Sequence, residues 1–147
     1  GVPRVQEKIK APHRGNGTFL VMDDEEAIRG LLGALLRSFG YEVRATGTGD
    51  EALEFCRSHA GAGGSLAGMI FDLTVNGGRG GKEVIAEIRE VYPDVPAIVA
   101  SGYSEDPVIA HPDRFGFQAS LRKPFTKSAL SDTLNEHVGS PPEDGTG

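Results

Sequence analysis

The chain has 147 residues, a net charge of −6, one cysteine and no tryptophan. That length fits one domain able to bury a sizeable core, and the low aromatic content makes the core mainly aliphatic. The acidic balance argues against a general nucleic-acid or membrane-surface binder; a lone thiol permits no internal disulfide and fits a reducing compartment; and no apolar run nears the ~20 residues of a membrane span.

Residues 1–17 mix Pro, Gly and charge without a sustained period and read as a linker or arm. They hold Arg4, Lys8, Lys10 and Arg14 against Glu7, so the arm is basic on an otherwise acidic chain. The folded part is expected over 18–138, and 139–147, with Pro141 and Pro142, reads as a disordered tail. No signal-peptide pattern is present, so the cytoplasm is the expected location.

Between the tails, strand-like and helix-like segments alternate. Phe19 to Met22 is the first strand. A helix follows with Ile28, Leu31, Leu32, Leu35 and Phe39 on one apolar face; Gly30 and Gly33 weaken it by roughly 1 kcal/mol each relative to Ala, and Gly40 ends it. Tyr41 to Ala45 is the second strand. Thr48-Gly49-Asp50-Glu51 has the form of a capping box and opens a helix with Ala52, Phe55 and Cys56 inward. The glycine-rich stretch 61–65 leads to the third strand, Met69-Ile70-Phe71, a continuous apolar run as in a strand buried on both faces. Ile85, Ile88 and Val91 mark the inner face of the next helix, which Pro93 stops. Val95 to Ala100 is the fourth strand. Asp106-Pro107 suits an N-cap and first helical position, but Pro112 leaves that helix little more than one turn. Phe117 to Leu121 is the fifth strand. Thr126 caps a last helix carrying Leu130, Leu134 and Val138 inward. This (βα)5 alternation predicts an α/β fold with a parallel sheet covered on both faces and right-handed crossovers.

The residues that follow the strands carry the chemistry. Strand 1 delivers Asp23 and Asp24, strand 3 Asp72, strand 4 Ser101 and strand 5 Lys123. In a parallel sheet these ends share one edge, the edge where open α/β sheets bind ligands. Three close carboxylates repel one another, so at least one pKa should rise unless a cation joins them. Oxygen ligands with few protein carboxylates suit Mg²⁺. A metal, the Lys123 ammonium and the Ser101 hydroxyl can each hold a phosphoryl oxygen, which is most of what phosphoryl transfer requires. The nucleophile is then a carboxylate, and Asp72 is the central one; Asp23 and Asp24 lie together as metal holders.

Taken singly, each residue has a plainer explanation. Asp23 and Asp24 could cap the first helix; Asp72 could be a solvated loop acid and Lys123 a surface lysine; Ser101 could be a turn hydroxyl. Their convergence on one edge outweighs these. Arg79, in the Gly77-Gly78-Arg79-Gly80-Gly81 turn, is expected to face solvent; that turn lacks the Gly-Lys-Ser/Thr of a phosphate loop. Cys56 is expected to pack as a core residue. His13, His59, His111 and His137 show no metal-ligand spacing and receive no role.

Met22-Asp23-Asp24-Glu25, Ile70-Phe71-Asp72, Ala100-Ser101-Gly102 and Lys123-Pro124-Phe125 together resemble the signature of response-regulator receiver domains of two-component systems. The resemblance implies a flavodoxin-like doubly wound sheet of strand order 2-1-3-4-5. It implies that Asp72 accepts a phosphoryl group from a phosphohistidine, and that Asp24, Asp72 and the Thr74 backbone carbonyl bind Mg²⁺ directly while Asp23 acts through water. Ser101 and Lys123 would contact the phosphoryl group, and Gly102 would keep the approach open. The switch it implies couples the strand-4 hydroxyl to an aromatic residue on strand 5.

Three positions depart from that pattern. Ser120 stands at the aromatic position; Asn76 stands where the family often has Pro, and Gly77-Gly78-Arg79-Gly80-Gly81 is expected to make that loop unusually flexible; and the fourth helix is short. The segment Asp72 to Gly78 and Ser101-Gly102-Tyr103-Ser104 look most like receivers of hybrid sensor histidine kinases, with residues 1–17 as the tether. The implied partners are a sensor histidine kinase or a histidine phosphotransfer domain, with a second copy of the chain as a further option. Neither nucleic acid nor direct membrane contact is expected, though a tethering kinase could itself sit in a membrane. The chain has no kinase core of its own and would act only as a phosphoacceptor. Two alternatives stay open: an aspartate-nucleophile phosphatase of the haloacid-dehalogenase kind, whose motif order differs, and a pseudo-receiver that only binds partners.

Overall fold

The computed structural model describes residues 12–102 and 106–139. Most of the expected arm and tail, and Tyr103 and Ser104, lie outside the described residues. Five parallel strands, β1 (Thr18–Met22), β2 (Glu42–Thr46), β3 (Gly68–Asp72), β4 (Ala97–Ser101) and β5 (Ala119–Arg122), lie in the order β2-β1-β3-β4-β5. The expected flavodoxin-like order is therefore the observed one. The helices are α1 (Glu26–Ser38), α2 (Gly49–Gly61), α3 (Gly81–Val91), α4 (Pro107–Ala110) and α5 (Lys127–His137), with a 3-10 turn at Pro112–Phe115.

Alternation along the buried strands builds two cores. Leu20, Met22, Met69, Phe71, Ala97 and Val99 point to one face, under Ala52, Leu53 and Cys56 of α2, Val84, Ile85 and Ile88 of α3, and Val108 of α4. Phe19, Val21, Ile70, Ile98 and Ala100 point to the other, under Leu32 and Leu36 of α1 and Leu130 and Leu134 of α5. Both faces of β3 and β4 are covered and every residue of them is buried, so their sequences read as unbroken apolar runs.

Local signals set most element ends. The Thr48 hydroxyl accepts the Glu51 N–H, the Asp106 carboxylate accepts the Val108 N–H, and the Thr126 hydroxyl accepts the Ala129 N–H. The capping box at Thr48 is half formed, because the Glu51 carboxylate reaches the Gly47 N–H instead of that of Thr48. Gly40, with φ 110°, ends α1 in the left-handed region. Pro93 follows α3, which closes at Val91.

The structure corrects one expectation and qualifies two. Leu31 is 45% exposed, and Leu36, next to Leu35 in sequence, is buried in its place; three leucines offered two adjoining faces, and the core that holds Phe19 and Leu134 takes in one. On α3, Val84 is buried while Val91, at the last turn, is half-buried. Phe55 is also half-buried, with the Arg44 guanidinium 5.1 Å from its ring centre and the His59 ring stacked at 4.8 Å.

His13, which received no role from its spacing, is buried. Its N–H donates to the Ser131 hydroxyl at 2.8 Å, and its ring nitrogens lie 2.7 Å from the Asn135 side-chain oxygen and 2.5 Å from the Tyr41 hydroxyl. The Gly15 N–H donates to the Phe39 carbonyl at 2.8 Å. Residues 12–17, read from sequence as part of the arm, are thus seated between the end of α1, the start of β2 and α5. No helix among the described residues is long and apolar enough to cross a membrane.

Candidate functional site

The carboxyl ends of β1, β3, β4 and β5 meet around a cleft of about 480 Å³ lined by Asp24, Glu25, Asp72, Thr74, Asn76, Ser101, Gly102 and Lys123. Asp23 lies beneath it, 1% exposed. The parallel register fixes this meeting: Met22 pairs with Phe71, Asp72 with Ala100, and Ser101 with Arg122, so the residue that ends each strand arrives at the same edge.

Asp23 is held at every polar atom. One carboxylate oxygen accepts the Glu25 N–H at 2.9 Å and the other accepts from the Lys123 ammonium at 2.8 Å. Its own N–H donates to the Thr46 carbonyl at 3.1 Å, and its carbonyl accepts from the Arg29 guanidinium at 2.9 Å. Asp72 accepts from the same Lys123 ammonium at 3.2 Å. Lys123 therefore bridges two buried acids that are 49 residues apart (72 − 23). Asp24 is more exposed, and one of its oxygens accepts the Asn76 backbone N–H at 3.1 Å. Ser101 is buried at the cleft wall; its carbonyl accepts the Lys123 N–H at 2.9 Å. A Cβ built on Gly102 meets nothing within 4 Å, so the mouth of the cleft is open there. The Lys123–Pro124 peptide is cis.

These contacts set the electrostatics. Burial, and then the charge of Asp23, push the Asp72 carboxyl up to about 6 against the pull of Lys123. Burial draws the Lys123 ammonium down, but its hydrogen bonds and charge pairing with Asp23 and Asp72 outweigh that and leave its pKa raised. The lysine is fully charged near neutral pH, and Asp72 is mostly ionised there but reluctantly so.

Asp23, Asp24 and Asp72 each offer one oxygen, all within 4.8 Å of one another. Hard oxygen donors at that spacing, in a site that resists its own negative charge, suit a small divalent ion that keeps several waters. The residues present fit Mg²⁺.

The loop after Asp72 is held close by its glycines. A Cβ on Gly80 would lie 2.5 Å from the Leu73 carbonyl oxygen, and one on Gly81 would lie 2.9 Å from that of Asp72. Arg79 faces solvent as expected, its side chain 38% exposed, and it also pairs with Asp50 at 2.7 Å and Glu87 at 2.9 Å, while its carbonyl accepts the Gly49 N–H. It straps the loop to α2 and α3. Gly80→Ala forces a methyl against rigid backbone and should cost about 1–3 kcal/mol; a lower urea midpoint with unchanged slope checks this.

Sequence reasoning missed two supports. Arg29 on the Asp23 carbonyl carries no motif, and the Asn76 N–H is a backbone group that any residue but proline would supply. At the position of the expected aromatic coupling residue, the Ser120 hydroxyl donates to the Ile109 carbonyl of α4 at 3.0 Å, so β5 is tied to the short fourth helix by a hydrogen bond.

Known proteins resemble this chain in sequence and fold. The family described as "Response regulator receiver domain" matches residues 19–135. Sensor kinase CckA of Brucella abortus is 34% identical over 127 residues, covering 83% of this chain and 12% of that kinase. The chain thus spans a small part of that relative. A response regulator receiver domain protein from Clostridium thermocellum superposes with TM-score 0.72 at 26% identity, over 82% of this chain and 92% of the other. The receiver domain of sensor histidine kinase PA1611 from Pseudomonas aeruginosa, solved with a magnesium ion coordinated in its active site cleft, has the same fold, with TM-score 0.72 at 23% identity over 86% of this chain and all of the other.

Proposed function

This chain belongs to the response regulator receiver domain family, and from that premise we propose that Asp72 takes a phosphoryl group from a phosphohistidine, with Mg²⁺ held by Asp24, Asp72 and the Thr74 carbonyl and by Asp23 through water. The observation that carries this is the half-buried Lys123 ammonium held between the buried acids Asp23 and Asp72, 2.8 Å and 3.2 Å away, in an acidic cleft. Such an arrangement stores a positive charge beside Asp72, an acid whose ionisation the site resists.

An oxygen of Asp72 attacks phosphorus while the bond from phosphorus to the imidazole nitrogen breaks, and the electron pair leaves with that nitrogen. The metal, when bound, neutralises charge on the transferring oxygens. Lys123 exchanges part of its contact with Asp72 for a phosphoryl oxygen, and the Ser101 hydroxyl, buried at the wall, takes another. The open space beside Gly102 admits the donor. Ser120, bonded to Ile109, then links β5 to α4 where an aromatic side chain would otherwise stand.

Residues 18–138 form the receiver unit in this reading, with residues 12–17 of the arm seated against it, and the arm leads from the kinase core of a longer hybrid sensor kinase. Support comes from the likeness to CckA, a sensor kinase, and from the Asp72–Gly78 loop. The partner is a phosphohistidine, on a histidine kinase or on a phosphotransfer domain. The family match and the order of the acid motifs favour this over the phosphatase alternative.

Acetyl phosphate with Mg²⁺ tests the proposal. Intact-mass measurement should show one added phosphoryl group that hydroxylamine removes, with no turnover of a generic phosphate monoester. An NMR spectrum left unchanged by BeF₃⁻ and Mg²⁺ would return the chain to the pseudo-receiver alternative.

A further inference from the structure

We propose that Asn76 is a positioning residue for the metal ligand Asp24, acting through its backbone N–H. The proposal rests on the metal-site reading above. Asp23 has both carboxylate oxygens engaged, by Glu25 and by Lys123, and Asp72 shares Lys123. Asp24 is the most exposed of the three acids, and one of its carboxylate oxygens accepts the Asn76 N–H at 3.1 Å.

Three carboxylates with oxygens within 4.8 Å of one another repel. The cheapest relief is for the outermost acid to swing into water, and a swung-out Asp24 must turn back into the cleft before an ion can bind. A hydrogen bond from a fixed donor opposes that motion and leaves the other carboxylate oxygen to the cleft. The donor is fixed because its loop is. Gly80 and Gly81 press on the carbonyls of Leu73 and Asp72, and Arg79 is clamped by Asp50 and Glu87. The amide of Asn76 thus ties the β3–α3 loop to the end of β1 across 52 residues of sequence. Proline, which has no N–H, could not make this tie.

The chemistry requires the amide and not the side chain, so two substitutions at one position separate them. In a calorimetric titration of the full chain with MgCl₂, Asn76→Ala should bind at least fivefold more tightly than Asn76→Pro. Because proline can also bend the loop, a second measurement leaves residue 76 untouched. Amide hydrogen exchange at Asn76 should speed severalfold in Asp24→Ala, while amides of β3 and β4 keep their rates. Equal Mg²⁺ affinity for the two Asn76 variants, or an Asn76 amide indifferent to Asp24→Ala, overturns the proposal alone. A wild-type chain that gives no Mg²⁺ binding overturns the metal site itself, and this proposal with it.

Discussion

Asp72→Asn is expected to abolish labelling by acetyl phosphate and, at the same time, to raise the thermal midpoint of the metal-free protein at pH 7. The first effect follows from chemistry: an amide oxygen is too weak a nucleophile to open an acyl phosphate, and no Cys or His among the described residues lines the cleft to replace it. The second follows from linkage. The Asp72 carboxyl titrates near 6 in the fold against an ordinary value of 3.8, so the folded chain holds that proton more tightly than the unfolded chain does. Stability from this group is therefore greatest below about pH 4, falls as pH rises from there towards 6, and stays reduced above it. Asparagine copies the protonated form, neutral and of the same shape, and escapes the penalty. The gap of about two pH units corresponds to roughly 2–3 kcal/mol, less the Lys123 contact that the variant gives up, so a rise of a few degrees is expected. Mg²⁺ should reverse the order, because an ion that binds only the folded wild type stabilises it and finds one carboxylate fewer in the variant. Calorimetric scans with and without MgCl₂ check both signs. Undiminished labelling of the variant would take Asp72 out of the mechanism.

The two halves of this site were unequally legible in the sequence. Strand ends were readable because β3 and β4 are buried on both faces and so announce themselves as apolar runs that stop at a polar residue. Asp72 and Ser101 are those residues, and one parallel sheet obliges them to share an edge. Caps were readable because Thr48, Asp106 and Thr126 bond to amides two or three residues away. What could not be read was set by docking between distant segments. Leu31, Leu35 and Leu36 all satisfy a helical stripe, and only the angle at which α1 meets the sheet leaves Leu31 outside. His13 looks like linker until Tyr41, Ser131 and Asn135 surround it, the last two more than a hundred residues away. Arg79 sits among glycines, and nothing local reveals that Asp50 and Glu87 converge on it. Asn76 was visible as a departure from a family pattern, but its contact uses a backbone group, which sequence does not distinguish.

Lys123→Ala is expected to destabilise the metal-free protein, to leave Mg²⁺ binding largely intact, and to remove the response to the phosphoryl group. The Lys123 side chain is 17% exposed, and its ammonium is shared by two acids, one with its side chain 1% exposed. Taking it away leaves Asp23 and Asp72 facing each other with no charge between them. Breaking a fully buried pair costs about 3–5 kcal/mol; this cleft opens to water on one side, so a loss nearer about 2 kcal/mol is expected. A divalent ion restores positive charge among the same oxygens. The rise in thermal midpoint caused by Mg²⁺ should therefore be larger in Lys123→Ala than in the wild type. The pH profile supplies an independent check. Since the folded pKa of Lys123 lies above the ordinary 10.5, its stabilisation is complete below that value and disappears as pH rises through the folded one; the variant should lack this alkaline component. Phosphoryl contact is a different matter, because the ion reaches one phosphoryl oxygen and cannot take the position of the ammonium at another. BeF₃⁻ with Mg²⁺ should thus shift β5 and α4 resonances in the wild type and leave them near their resting positions in the variant, even where the ion is bound. Were the variant to bind Mg²⁺ no better than background and yet respond to BeF₃⁻ like the wild type, the division of labour between metal and lysine would have to be reversed.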